Sequence, residues 1–386
     1  MFSNMRSRTM LITSILLIFT FLTLTAASPN VQQISKKQCN LTVTDVESLG
    51  KVVFDTGYKF ADKEVGGLSG ITYDPARGVY YALSDARSEA HYYTVAIDLS
   101  DGSLDDGDVT FLDVTFLLDE NRDQFLAGSL DPEGIELPRP GLLYISSEGD
   151  ADASPPIDPF VNRFNPVGKQ TKALPVPDKF LPDGTGDFGV RDNLAFESLT
   201  ATPNRRYLYT ATENALVQDG PKSTLVDSSP SRLLEYHLGT KRPGREFVYM
   251  VNPIPKDSDP AGGFADNGLV DLQALDNCGT FLAMERSYAS GVGNTVVLFE
   301  TATSGATDVS SFDALPTVYT PMTKRFIADF ELDLGEIPDN LEGLAFGPRL
   351  PDGRMLLIVV SDNNFNPYQE TQFIALAVTL ESNSGK

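Results

Sequence analysis

Residues 193 to 214, NLAFESLTATPNRRYLYTATEN, hold two short apolar runs joined by the turn Pro203-Asn204-Arg205, with Glu197 near the start and Glu213 near the end. Alternating apolar and small polar residues on either side of a proline-asparagine turn predict a β-hairpin. The same outline recurs four times: GGLSGITYDPARGVYYALSDA from Gly66, DPEGIELPRPGLLYISSEGD from Asp131, NGLVDLQALDNCGTFLAMERS from Asn267, and NLEGLAFGPRLPDGRMLLIVVSDN from Asn340. Aligned on the hairpin starts, the first marked position reads Ser69, Glu133, Glu197, Asp271 and Glu342. The closing position reads Asp85, Glu148, Glu213, Glu285 and Asp362. Nine of these ten positions are acidic in a chain where roughly one residue in seven is.

Self-similarity at a near-constant spacing is the mark of a repeat architecture. Between the hairpins lie further strand-like runs, among them HYYTVAIDL, SRLLEYHL and TVVLFET, and beyond the last there is only TQFIALAVTL. The strand missing there is available at the other terminus in LGKVVFDTG, so residues 50 to 56 are expected to pair with residues 372 to 379. Four strands per repeat, with the last sheet completed by the N-terminal strand, close a ring without an open edge. The fold class is therefore all-β, a β-propeller of five four-stranded blades. Six blades fit instead if residues 214 to 230 or 302 to 323 contribute strands.

The chain has 386 residues. Its first 27 carry Arg6 and Arg8, then the apolar MLITSILLIFTFLTLTAA, which is the layout of a secretory signal peptide; an uncleaved anchor is the alternative. The expected organisation is a signal peptide over 1–27, an arm over 28–45, the propeller over 46–380 and a tail over 381–386. Removing the leader leaves 28 basic against 53 acidic side chains, a formal charge of −25. That balance excludes nucleic acid and anionic membrane surfaces as partners and favours cations, or substrates held through cations. A secreted or extracellular monomer is expected, periplasmic if the source is bacterial, with no stable membrane insertion once the leader is cleaved. Only Cys39 and Cys278 are present, so a thiolate zinc cluster is excluded, and in an oxidising compartment the two can pair. Asn40-Leu41-Thr42 is an N-glycosylation acceptor.

In a propeller the start of the innermost strand and the end of the next lie at one mouth of the ring. The nine acids Asp85, Glu133, Glu148, Glu197, Glu213, Asp271, Glu285, Glu342 and Asp362 are therefore expected to converge there. So many carboxylates cannot all ionise at close range without a positive partner. Calcium, which accepts six to eight oxygen ligands, is the expected cofactor and these acids its expected ligands. Arg87, Arg191 and Arg286 offer a metal-free alternative by pairing with the acids, or they hold an anionic substrate. The acidic run Asp98, Asp101, Asp105, Asp106 and Asp108 departs from the EF-hand spacing and reads as a solvated turn. No nucleophile elbow, P-loop or dinucleotide fingerprint occurs, and with only His91 and His237 a three-histidine metal site is excluded. His91 follows the first closing acid and is a candidate acid or base; His237 reads as a packed or surface residue.

The hairpins GGLSGITYDPARGVYYALSD, DPEGIELPRPGLLYISSEGD, NLAFESLTATPNRRYLYTATEN and NLEGLAFGPRLPDGRMLLIVVSDNNF resemble those of the phytase-like family, described as having esterase-like activity of phytase. The resemblance covers about residues 46 to 380. It implies a metal-assisted phosphoric ester hydrolase acting on a small phosphorylated or ester substrate. Glu133, Glu213 and Arg286 would then be catalytic, and Arg87, Arg191 and Arg286 would bind substrate. A non-catalytic propeller that binds a ligand or protein across its mouth, with any calcium structural, is the rival from a different class.

Overall fold

The computed structural model describes residues 39–382; the leader and the start of the arm lie outside that range. The described chain forms five four-stranded antiparallel sheets, with one added two-stranded hairpin at Lys59–Phe60 and Lys63–Glu64. Their inner strands are Leu68–Asp74, Pro132–Arg139, Thr200–Ala201, Ala265–Ala274 and Leu341–Arg349. Each inner strand abuts the next around the ring, and the fifth abuts the first. This is the five-bladed propeller. Residues 214 to 230 and 302 to 323 add no sheet of their own, which removes the six-bladed alternative.

The second strands, Val79–Ser84, Leu142–Ser147, Tyr207–Ala211, Thr280–Ala289 and Met355–Ser361, read as nearly unbroken apolar runs because both their faces are covered. Blades stack face to face, so burial on one side serves one neighbour and on the other side the next. Five core clusters result, one at each interface between consecutive blades. A chain organised this way has no central core. Its stability is shared among five seams.

The N-terminal strand completes the fifth blade as the sequence predicts, but with the pairing offset: residues 51 to 55 meet 370 to 374, and residues 376 to 379 meet 45 to 48. Leu41–Asp55 pairs antiparallel with Glu370–Ser382 as the outer strand of blade five. Lys51 to Asp55 oppose Ile374 to Glu370, and the pairing then continues back to Leu41 opposite Ser382. The strand thus begins inside the segment read as an arm, and its partner takes in the first two residues of the segment read as a tail. A bulge at Gly50 lets the strand bend over blade one. With φ of 106° and the carbonyl oxygen of Leu104 2.7 Å from where a Cβ would sit, only glycine fits there. Cys39 and Cys278 form a disulfide with Cα atoms 5.4 Å apart, fastening the start of this strand to the hairpin turn of blade four.

Candidate functional site

Each inner strand carries a one-residue bulge near its start, seen as register jumps between Leu68 and Gly70, Pro132 and Ile135, Leu269 and Asp271, and Leu341 and Gly343. A bulge re-aims the extra side chain, here toward the mouth. In blade three the corresponding bridge is Phe196 to Thr212, with Glu197 next in line. The bulged residues are accordingly Ser69, Glu133, Glu197, Val270 and Glu342. The closing acids sit opposite the residue two before each bulge: the amide of Asp85 donates to Gly67 at 2.8 Å, Glu148 to Asp131 at 3.0 Å, Glu213 to Ala195 at 2.8 Å and Asp362 to Asn340 at 2.9 Å.

Blade four departs from the expected alignment by one residue. Gly268 pairs with Arg286, so the equivalent positions are Val270 and Arg286 rather than Asp271 and Glu285. In a strand a one-residue slip turns the side chain to the opposite face. Asp271 accordingly accepts the backbone amides of Leu272 and Leu344, both at 2.7 Å, and ties the inner strands of blades four and five together. Glu285 accepts the Tyr249 hydroxyl at 2.9 Å and pairs with Lys324 between blades three and four. Neither lines the mouth. The ring is therefore acids from four blades with an arginine from the fifth.

The mouth is a cavity of about 750 Å³ whose lining includes Asp85, Glu133, Glu148, Glu197, Glu342, Asp362, Arg87 and Arg286. It forms an acid-lined cup among the inner strands. A Cβ on Gly70 would lie 2.5 Å from the Glu133 carbonyl oxygen, and one on Gly343 would lie 2.8 Å from the Cα of Gly70, so neighbouring inner strands pack backbone against backbone beside the acids. Glu213 lies behind the lining, against Gly268, where a Cβ would stand 1.8 Å from its Oε1. Asp131, which the aligned positions passed over, joins Glu133 and Glu148 in a triad whose oxygens all lie within 4.8 Å of one another. The repeat carried no signal for it, because the same position holds Gly67, Ala195, Gly268 and Asn340 in the other blades.

The two arginines at the cup behave differently from Arg191. Arg286 donates to Glu342 at 3.1 Å and lies 3.5 Å from Asp266, and its Nε is buried without a partner. Arg87 is half exposed and donates to Asp131 at 2.9 Å and Asn193 at 3.1 Å. Arg191 turns away and donates to the carbonyls of Ala215 and Gly220 at 3.1 and 2.7 Å, so it is not available to a ligand in the cup. Its partners hold a surface loop. The acidic run near Asp105 is likewise local: Asp98 and Asp108 accept the amides of Ser100 and Asp105 within their own turn. His237 uses its Nδ1 to accept the amides of Gly239 and Thr240 in a turn.

Burial dominates the electrostatics of the cup. It pushes Asp85 up to about 8, helped by the charges of Glu342 and Asp131, and Glu148 up to about 7. Glu213 rises to about 8 through burial although Arg286 pulls it down, and Asp131 to about 6 although Arg87 does the same. Glu133, Glu197 and Asp362 lie well above the usual carboxylate range, again through burial first and then neighbouring acids. Burial opposes the charge on Arg286, yet Glu342, Glu213 and Asp266 hold it more firmly protonated than usual. Asp131, Glu133 and Glu148 each bring one carboxylate oxygen within 4.8 Å of the others, a crowding that favours a proton or another cation among them.

A five-bladed propeller with a carboxylate-ringed cup is the class of protein these features define. The match to known sequences is more specific. Residues 63–365 match the phytase-like family, described as esterase-like activity of phytase, and the chain belongs to that family. A relative from Arthroderma benhamiae, named as an uncharacterized secreted protein, is 25% identical over 191 residues, 42% of this chain and 35% of the relative. The chain thus matches about a third of that relative's length. Among solved structures, the Dos1 propeller is similar at 11% identity, covering 80% of this chain and 67% of that one, with a TM-score of 0.32. A putative oxidoreductase (glucose dehydrogenase) of Thermus thermophilus is similar at 11% identity over 84% of this chain and all of that one, with a TM-score of 0.35. Among the described residues no helix is long and apolar enough to cross a membrane.

Proposed function

We propose that the protein is a secreted, metal-assisted phosphoric ester hydrolase whose reaction takes place in the cup. The observation that carries this reading is the convergence of Asp131, Glu133 and Glu148, three buried carboxylates within 4.8 Å of one another, beside Arg87 and Arg286. Secretion is supported by the leader, by the Cys39–Cys278 disulfide and by the name of the fungal relative.

The donor set fits a hard divalent cation. It is all oxygen, it is buried, and Asp85 contributes an Oδ1 that has no partner in the structure. Asp85, Asp131, Glu133, Glu148, Glu197, Glu342 and Asp362 are the residues that would hold calcium, with Glu213 supporting them from behind. When bound, such an ion would attract substrate phosphate and lower the pKa of a water. Arg286, fixed by Glu342 and Asp266, lines the cup and Arg87 stands half exposed at its rim, so these two guanidinium groups are the cations that would meet a phosphoryl oxygen. A carboxylate of the triad that keeps its charge serves as the base that takes a proton from water.

The effect of pH tests the metal. Carboxyls whose folded pKa is raised bind more protons in the folded than in the unfolded state. Their contribution to stability is therefore present in acid and is lost as pH rises through about 6 to 8. Metal-free protein is expected to melt at a lower temperature at pH 8 than at pH 5. Saturating calcium should remove most of that decline, because it binds only the native cup and does so better once the acids ionise. Equal calcium effects at both pH values, or no effect at either, would count against the site. The hydrolase reading itself is checked by phosphate release from aryl and alkyl phosphates with calcium and with chelator. A folded, calcium-loaded protein inactive on every ester would favour the rival, a binding propeller, for which the exposed rim aromatics Phe264, Tyr288 and Tyr368 speak.

A further inference from the structure

The inner strands are latched to one another by a side chain at one repeated position. On blade one Thr72 accepts the amide of Leu137 on blade two at 3.2 Å, on blade three Thr200 accepts that of Ala274 on blade four at 3.0 Å, and on blade four Gln273 accepts that of Phe346 on blade five at 3.2 Å. On blade two Glu136 holds this place, and the amide of Ala201 on blade three stabilises its charge. Each amide lies one residue beyond the same position on the next blade. On blade five that position is Ala345, which faces blade one in the core cluster the two blades share and has no acceptor to offer Tyr73. The inner strands meet there as bare backbone, Gly343 against Gly70, and the buried hydroxyl of Tyr80 on blade one, packed at Gly347 of blade five, has no partner.

A different side chain crosses this seam. Asn363, fully buried, accepts the amides of Gly67 on blade one and of Phe365 in its own turn, both at 3.1 Å, and its Nδ2 donates to the hydroxyl of Thr56 beyond the N-terminal strand at 3.1 Å. A Cβ on Gly66 would lie 2.3 Å from its Oδ1, so glycine is needed there for it to enter. Cup acids stand on both sides of it: Asp362 precedes it in the chain, and the amide of Asp85 donates to the carbonyl of the same Gly67 at 2.8 Å. The other crossings, Thr371 to the Val65 carbonyl at 3.3 Å and the Leu104 amide to the Leu49 carbonyl at 2.8 Å, lie outside the inner strands. Asn214 supplies the comparison. It follows Glu213 as Asn363 follows Asp362 and donates to the Asn267 carbonyl at 3.1 Å across the seam between blades three and four, but there Thr200 latches the inner strands as well.

We propose that Asn363 is the clasp that closes the ring between blades five and one, and that by fixing Gly67 it positions Asp85 against Asp362 in the cup. This seam is then the one along which the cup loosens first, and an ion held across Asp85 and Asp362 tightens it. Only the role of the ion rests on the metal-assisted reading of the cup.

Hydrogen exchange of the mature, disulfide-bonded protein, read by mass spectrometry with and without calcium, tests both parts. In metal-free wild-type protein, peptides spanning residues 66–73 should exchange faster than those of the other four inner strands. Asn363→Ala should speed 66–73 by about tenfold more and weaken calcium binding by a similar factor, whereas Asn214→Ala should change residues 267–274 and calcium affinity by no more than about twofold, because Thr200 still holds that seam. Saturating calcium should slow 66–73 in the wild type more than any other inner strand, since an ion that binds the closed cup better stabilises the closed seam. Equal effects of the two alanine variants on their own seams, or wild-type exchange no faster at 66–73 than elsewhere, overturn the clasp. If Asn363→Ala does not fold, the wild-type comparison decides. Selective opening in Asn363→Ala without any calcium effect retains the clasp and counts against the metal; calcium protection without selective opening retains the metal and refutes the clasp.

Discussion

Glu133→Gln is expected to lower phosphate-ester hydrolysis by about 10²–10⁴-fold, the range associated with loss of a positioned acid-base group, and Glu213→Gln to weaken it through a higher KM. The two act by different routes. Glu133 belongs to the three-carboxylate cluster with Asp131 and Glu148, so the amide removes a charge and a candidate ligand from the cluster itself. Glu213 lies behind the lining and acts on Arg286, whose charge it helps to hold. Its substitution should therefore raise KM for anionic substrate while leaving calcium binding nearly intact, and Glu133→Gln should weaken both. Asp105→Asn, in the outer turn, is the control and should change activity little. Steady-state kinetics with calcium titrations separate these outcomes. Loss of activity in Asp105→Asn of the same size, or full activity in both glutamine variants, would dissociate the reaction from the cup.

Deleting residues 28 to 55 is expected to unfold the domain rather than trim it. The deletion removes the outer strand of blade five and with it Leu41, Val43 and Val52, all nearly fully buried. Burial of each is worth about 1.5–3 kcal/mol. The strand Glu370–Ser382 would be left with an open edge, and the disulfide, worth about 2–5 kcal/mol, would be lost as well. Against a total stability of about 5–15 kcal/mol, these losses leave no folded margin. Cys278→Ser retains the strand pairing and should lower the melting temperature without abolishing a cooperative transition. Circular dichroism melts decide it: a deletion variant that melts cooperatively within a few degrees of the intact protein would show that the ring does not depend on this closure.

The hairpins, their fivefold recurrence and the closure of the last blade by the first strand were legible in the sequence because each rests on local pattern. Turn residues and apolar runs near Pro203 or Gly353 state a hairpin wherever they occur, and a count of strands at the two ends states the closure. The cup was legible in four blades for the same reason. Glu133, Glu148, Glu197, Glu213, Glu342, Asp85 and Asp362 stand near the starts and ends of those hairpins.

Blade four was misread because register belongs to hydrogen bonds between strands. The bulge common to the blades falls here at Val270, one residue before the aligned Asp271, and Gly268 pairs with Arg286, so Asp271 and Glu285 face away and Arg286 comes to the mouth. A faint signal existed: Asp85, Glu148, Glu213 and Asp362 each follow a serine or threonine, whereas Glu285 follows Met284. Only packing could reveal that Arg191 spends its donors on loop carbonyls and that Gly70 and Gly343 let neighbouring inner strands touch beside the acids, since both depend on tertiary contact. Local sequence determined the elements and their repetition, and tertiary contact decided which charges face one another.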